Sequence, residues 1–297
     1  MTRPRPAMAF AVATAGIAVF SCMDAVMKGL SLEIGTYNAL LWRSLAGTLM
    51  AGLLYLPRGP ARPSRAALRL HVTRGAVMAV MAVLFFWGLA RVPMAQAVAL
   101  TFIAPLIAIF FAGVLLGEPV HRRAVIGSLV ASAGVLLILF GQTRADLGRQ
   151  ALLGSAAIVV SAICYAYNII LMRRQSLVAD AREVAFWQSL IIAGFLALAA
   201  PFLAVLPAAR HVPMLVLAAL LATTSLLALS WAYRRAAASY LAPVEYTAFL
   251  WASILGYLVF AEKVAPLTVA GAALIGAACL YAARVRPVAM GNLEAAA

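Results

Sequence analysis

Two carboxylates interrupt otherwise apolar stretches of this chain: Asp24 in AVFSCMDAVMKGL and Glu245 in APVEYTAFL. An ionisable group inside such a segment is costly to bury, so it points to an ion pair, a gate or a coupling site with a definite partner. For Asp24 the expected partner is Arg43 in LLWRSL, which returns to similar depth on the next apolar run. Lys28, one turn along from Asp24, competes for it. A static Asp24–Arg43 brace is the favoured reading, and a transport switch is the alternative. Glu245 lies close enough to Arg234 and Arg235 to bridge to them. The same carboxylate could instead couple protons or meet a substrate amine. Arg74 in HVTRGAV is expected to snorkel to the headgroups.

The uncharged candidates for a binding site are Met23, Trp42, Met78, Met81, Phe85, Thr101, Phe102, Tyr165, Asn168, Trp187, Tyr246 and Phe249. Any one of them alone reads as packing. Together, at middle depth on neighbouring apolar runs, they form an adaptable lining for a small neutral or zwitterionic solute. Asn168 is the most informative, because a buried amide must find hydrogen-bond partners. Pro105 and Pro243 each remove a backbone N–H and permit a bend, which would suit a moving gate. Glu118 in LLGEPV and Glu262 in VFAEKV stand at turns, where they are expected to cap the helices that follow.

Several chemistries find no support. His71, His121 and His211 fall at the ends of loops, and no Ser/His or Asp/Asp pair is placed for catalysis, so an enzyme is not indicated. A glycine-rich loop with lysine, as an ATP-driven pump requires, is absent, and so is a channel filter motif. Cys22, Cys164 and Cys279 lie within apolar runs at no metal-ligand spacing, so neither disulfides, a metal nor a cofactor is expected.

These residues must be positioned by membrane helices. Of 297 residues, 66% are hydrophobic and 11% charged, and the mean hydropathy is +1.02. That composition leaves too little polar surface for a water-soluble domain. Ten apolar runs are expected to cross the bilayer, near 8–28, 37–56, 71–90, 94–116, 122–140, 151–171, 184–205, 212–233, 240–260 and 265–284. The net charge of +14 follows from orientation and does not imply a nucleic-acid partner. With the N-terminus inside, fifteen basic residues fall on the cytoplasmic side against six on the other, the bias that keeps basic loops in the cytoplasm. The expectation is a multi-pass protein of the bacterial cytoplasmic (inner) membrane, with both termini cytoplasmic and no cleaved signal peptide.

The chain also repeats itself. At an offset of 144, Trp87 meets Trp231, Arg91 meets Arg235, Glu118 meets Glu262 and Gly127 meets Gly271. At 145, LWRSL from Leu41 meets FWQSL from Phe186, and Met27-Lys28 meets Met172-Arg173. Five runs per copy is an odd number, so the second copy enters the membrane from the opposite side. The fold class expected is therefore an all-α polytopic membrane protein of two inverted five-helix repeats around a central cavity. Residues 1–145 and 146–285 form the repeats, and 286–297 a tail. Inverted repeats of this kind suit alternating access in secondary transporters. Small-residue ridges at Gly127, Ala131 and Gly134 and at Gly271, Ala272 and Gly276 would pack within the protomer or across a homodimer.

The runs WGLARVPMAQAVALTFIAPLIAIFFAGVLLGEPVHRRAVIGSLVASAGVLLIL and APVEYTAFLWASILGYLVFAEKVAPLTVAGAALIGAACLYA resemble the two copies of EamA-type carriers in the drug/metabolite transporter superfamily. Within it, the chain is most similar to bacterial amino-acid exporters of the YddG type. The resemblance implies helices 1–4 and 6–9 around the cavity, helices 5 and 10 outside, and export of a small-molecule substrate. Neutral or aromatic amino acids fit the lining best. Organic cations, bases or other drugs are the alternative within transport, and a membrane receptor or scaffold is the alternative outside it.

Overall fold

A computed structural model describes residues 6–58, 63–117, 122–144, 148–176, 178–179, 181–233, 235, 241 and 244–283. The described residues are helices and connections, with no strand among them. In chain order the helices are α1 (Pro6–Ile34), α2 (Thr36–Tyr55), α3 (Arg65–Leu89), α4 (Met94–Thr101), α5 (Ala104–Leu116), α6 (Arg122–Arg144), α7 (Gly148–Ser176), α8 (Ala181–Ala197), α9 (Ala200–Leu203), α10 (Val212–Tyr233), α11 (Thr247–Phe260) and α12 (Pro266–Ala283). Only Gly35 separates α1 from α2. Its φ of 79° lies where a side chain would be strained, which is why so short a turn needs glycine.

Five stretches are long and apolar enough to cross a membrane: Ala7–Ile34, Arg65–Leu89, Met94–Leu115, Gly148–Met172 and Ala209–Ala232. Shorter apolar helices cover Val125–Gly141, Thr247–Phe260 and Pro266–Ala278. Helix length alone therefore does not fix the number of crossings at ten.

Three of the expected runs are interrupted among the described residues, the ninth at Tyr246 just before α11. The fourth breaks at Phe102 and Ile103 into α4 and α5. Pro105 becomes the second residue of α5, where its missing N–H costs no helical bond, so a bend expected within one helix is a break between two. The seventh run leaves the helix at Ala197 and continues as an extended stretch from Ala204 to Ala208. Pro243 lies outside the described residues, as do Glu118 and His121.

The helices pair according to the repeat. α1 lies along α10, and α3 lies along α7. Because α7 is the repeat of α1 and α10 the repeat of α3, these are one pairing seen twice. α2 packs on its own counterpart α8, and α6 on its counterpart α12. Such exchange is what a two-fold relation between the halves produces. Local structure repeats too. The Arg91 guanidinium stacks 3.6 Å from the Trp87 ring, and that of Arg235 4.1 Å from Trp231. Each arginine also donates to the carbonyl of its tryptophan, at 2.8 and 3.1 Å. Phe102 and its counterpart Tyr246 meet edge to face at 5.1 Å, so this contact lies where the two halves face each other.

The small-residue ridges close on each other within the protomer. A Cβ on Gly134 would come 2.9 Å from the Gly271 carbonyl oxygen, and one on Gly271 would come 2.7 Å from that of Gly134. Backbone approach this close requires both glycines.

Candidate functional site: two polar clusters and the interior between them

At the end of the bundle that holds the α1–α2 turn, Lys28 is buried and forms an ion pair with Glu262. Its ammonium also donates to the Val92 carbonyl at 2.6 Å and stands 5.2 Å from the Phe260 ring centre. The second oxygen of Glu262 accepts from the Met94 backbone N–H at 2.8 Å, the first N–H of α4. A carboxylate there completes an unsatisfied donor and opposes the helix dipole. Glu262 thus caps α4, 168 positions back in the chain, and not α12 as the sequence suggested. Lys28 is held by Glu262 and not by Asp24.

Local backbone geometry delivers that carboxylate. α11 ends with Ala261 at φ 53°, and Glu262 N–H closes back on the Gly256 carbonyl at 3.0 Å, a C-terminal turn of the Schellman kind. A Cβ on Gly256 would lie 2.8 Å from a Glu262 oxygen, so glycine there leaves room for the side chain.

A second cluster joins α3, α7 and α8. Arg74 is 5% exposed. It does not snorkel: its Nε donates to Asn168 Oδ1 at 2.9 Å, and its Nη1 donates to Gln175 Oε1. The other Gln175 amide atom lies 2.7 Å from His71 Nδ1, and His71 Nε2 lies 3.0 Å from Glu183 Oε1. His71 is fully buried and stacks on Trp187 at 5.8 Å. The sequence reading had put this histidine at a loop end. Asn168, expected to meet a solute, is already held by Arg74.

Between the clusters lie the remaining candidates. Asp24 is buried, and its Oδ1 has no hydrogen-bond partner among the described residues. Arg43 is near enough for the two charges to act on each other, yet no direct ion pair joins them. The guanidinium donates instead to the Met23 sulfur, at 3.4 Å. The expected brace is therefore absent as a contact. Tyr165 keeps 36% of its surface accessible although protein crowds it from all sides, so that surface faces interior space. It feels the charges of both Arg74 and Glu245. Glu245 is half-buried and engaged.

Met23, Met78, Phe85, Phe102, Tyr246 and Phe249 belong to one continuous apolar cluster. Met81 is half-buried, and its carbonyl accepts from Ser161 at 2.9 Å. Thr101 satisfies its hydroxyl on the Val98 carbonyl at 2.7 Å. Trp42 packs on the same cluster and also reaches a groove outside it. Its indole N–H donates to the Val205 carbonyl at 2.9 Å, and its ring lines an apolar groove of about 460 Å³ between α2 and α10, with Leu45, Leu49, Leu215 and Val216.

Trp187, a candidate from the sequence, and three residues that the sequence reading missed, Ser44, Gln188 and Trp251, complete the interior. Ser44 Oγ, Trp187 Nε1, Gln188 Oε1 and Trp251 Nε1 are buried without a hydrogen-bond partner among the described residues. Gln188 had a usable signal, because it stands at the repeat position of Arg43. Ser44 and Trp251 had none. With Asp24 and Arg43 they give an interior of methionine and aromatic surface carrying a few unsatisfied polar atoms. A largely apolar lining with a few polar atoms is the composition typical of small-molecule sites.

The model of the EamA-like transporter family matches residues 7–140 and, a second time, residues 152–284. The chain is 29% identical over 273 residues to the pseudopaline exporter CntI of Pseudomonas aeruginosa, covering 90% of this chain and 93% of the exporter. It is 28% identical over 281 residues to a riboflavin transporter of Rhizobium johnstonii, covering 91% and 88%. A crystal structure aligns with a TM-score of 0.60 at 19% identity, over 95% of this chain and 98% of its own, a likeness of fold alone. These relatives support the family, and they do not single out amino-acid exporters of the YddG type.

Proposed function

The chain belongs to the EamA-like transporter family, and from that premise we propose that it exports small zwitterionic metabolites, neutral amino acids with apolar or aromatic side chains foremost. The carrier works by alternating access of two inverted halves, residues 1–145 and 146–285, in the bacterial cytoplasmic membrane with both termini inside. The observation that carries the substrate reading is the separated charge pair. Asp24 has an oxygen without a partner, and Arg43 is bonded to a sulfur and not to a carboxylate. A zwitterion bridges such a pair, its ammonium on Asp24 and its carboxylate on the Arg43 fork. Met23 and the apolar cluster around it take the side chain.

The relatives carry other named solutes, pseudopaline and riboflavin, so both classes belong in the test. Liposomes holding the purified protein are assayed for uptake and counterflow of leucine, phenylalanine, aspartate, riboflavin and an organic cation. Saturable flux of leucine and phenylalanine is expected, with KM raised about tenfold or more in Asp24→Asn and in Arg43→Gln, since each loses a charge-assisted bond worth ~1.5–3 kcal/mol. Flux confined to riboflavin or the cation, with no competition from neutral amino acids, overturns the assignment.

A further inference from the structure

The hydrogen-bond chain around His71 leaves little freedom in where its protons sit. A guanidinium only donates, so the Gln175 atom facing Arg74 is the carbonyl oxygen. The amide nitrogen then faces His71 Nδ1 at 2.7 Å. That nitrogen also only donates, so Nδ1 presents a lone pair. The single imidazole proton sits on Nε2 and is donated to Glu183 at 3.0 Å. Arg74, through one intervening amide, thus selects the neutral form and the tautomer of a histidine it does not touch.

A second proton cannot enter this arrangement unchanged. On Nδ1 it would meet the amide N–H, donor against donor. Turning the Gln175 amide brings the carbonyl to Nδ1–H, but it also points the NH₂ at Arg74, and Arg74 has no acceptor lone pair to receive it. The guanidinium must then leave Gln175, keeping at most its bond to Asn168.

We propose that His71 is the proton-binding site of this carrier: a proton on Nδ1 and the Arg74–Gln175 bond exclude each other, so protonation releases the Arg74 guanidinium toward the interior. The groups that face His71 are Glu183 and the Trp187 ring from α8, Gln175 from α7, and Arg74 on its own helix through Gln175. No charged group of α1, α2 or α4 lies within hydrogen-bonding distance of it among the described residues. Arg182, beside Glu183 in sequence, is the other described charge at that end of α8. Glu183 steadies the imidazolium once it forms, and Trp187 offers it a ring face. Released, Arg74 stands beside Tyr165, whose accessible surface faces interior space. One proton is thereby exchanged for one repositioned cation along the solute's route. This consequence rests on the transport reading, whereas the mutual exclusion does not.

The test needs no transported solute. The full chain is labelled with ¹⁵N-histidine and ¹⁵N-arginine in lipid nanodiscs, with signals assigned by their loss in His71→Gln and Arg74→Lys. At about pH 8 the Nδ1 signal of His71 should be that of an unprotonated nitrogen. As the pH falls to about 5, the range in which histidines titrate, protonation of His71 and displacement of the Arg74 signal should share one midpoint. In Gln175→Glu a carboxylate accepts from both neighbours, so His71 should protonate while the Arg74 signal stays put. A proton on Nδ1 at about pH 8, a His71 still neutral at about pH 5, or an Arg74 signal that ignores His71 protonation overturns the proposal. In liposomes, His71→Gln should flatten the dependence of leucine counterflow on pH. Absence of any leucine flux there counts against the transport reading and leaves the spectroscopic result standing.

Discussion

The Lys28–Glu262 contact lends itself to a quantitative test. The two side chains are 5% and 18% exposed, so neither charge can fall back on bulk water. Breaking a buried pair by deleting one partner costs ~3–5 kcal/mol, because the survivor stays charged and buried. Here the survivors differ. In Lys28→Met the carboxylate keeps the Met94 N–H, and the loss should fall at or just below that range, ~2–3 kcal/mol. In Glu262→Gln the ammonium keeps only the Val92 carbonyl, and the loss should be ~3–4 kcal/mol. The double variant leaves no stranded charge. It forfeits packing and one hydrogen bond, about 2–3 kcal/mol, where strict addition of the single losses would give about 5–7 kcal/mol. The coupling energy is then roughly 2–3 kcal/mol or more. Equilibrium unfolding of the four proteins in mixed micelles measures it. A coupling below about 0.5 kcal/mol would refute the claim that these two groups depend on each other.

Three further outcomes follow from local geometry and charge. Gly271→Ala drives a methyl against the Gly134 carbonyl and Ile138 and should cost ~1–3 kcal/mol. Gly29→Ala meets nothing within 4 Å and should gain ~0.5–1 kcal/mol of helix propensity; thermal unfolding that ranks the two alike sinks the ridge argument. Ala261→Gly relieves the left-handed φ of 53° and should raise stability by about 1 kcal/mol, read by the same unfolding curve. Cysteines replacing Arg62 and Ser176 should label from the cytoplasm and those replacing Asp146 and Arg210 from outside; Asp146 labelled only from the cytoplasm removes the inverted topology.

The features the sequence displayed plainly are those carried by local or repeated signals. Continuous apolar runs became helices, and the Trp–Arg pairs at an offset of 144 became two stacked pairs with the same carbonyl bond. What it hid were partners chosen by tertiary packing. Lys28 meets a carboxylate 234 positions away, and Arg74 meets amides 94 and 101 positions away. From sequence, Arg74 near the start of an apolar run has the same appearance whether it snorkels or is buried. The opposing helix decides, by offering Asn168 and Gln175 at the right height. His71 was misplaced for the same reason: its position near a helix start says nothing about α7 and α8 closing over it.

The repeat also separates positions that hold the bundle from those that the proposed function assigns to the solute. At several scaffold positions the residue types agree: Trp87 with Trp231, Arg91 with Arg235, Gly127 with Gly271. Where polar atoms line the interior, they part. At an offset of 145 Arg43 faces Gln188, Asp24 faces Ile169, and Met23 faces Asn168. A two-fold scaffold needs like residues at like positions, because each contact between halves is made twice. A solute with an ammonium at one end and a carboxylate at the other has no two-fold axis. Bound near that of the protein, it cannot be satisfied by equivalent residues from both halves, since one must supply a negative group where the other supplies a positive or neutral one. The loss of symmetry at Asp24 and Arg43, against its retention at those scaffold positions, is therefore consistent with the proposed recognition of an asymmetric, oppositely charged solute.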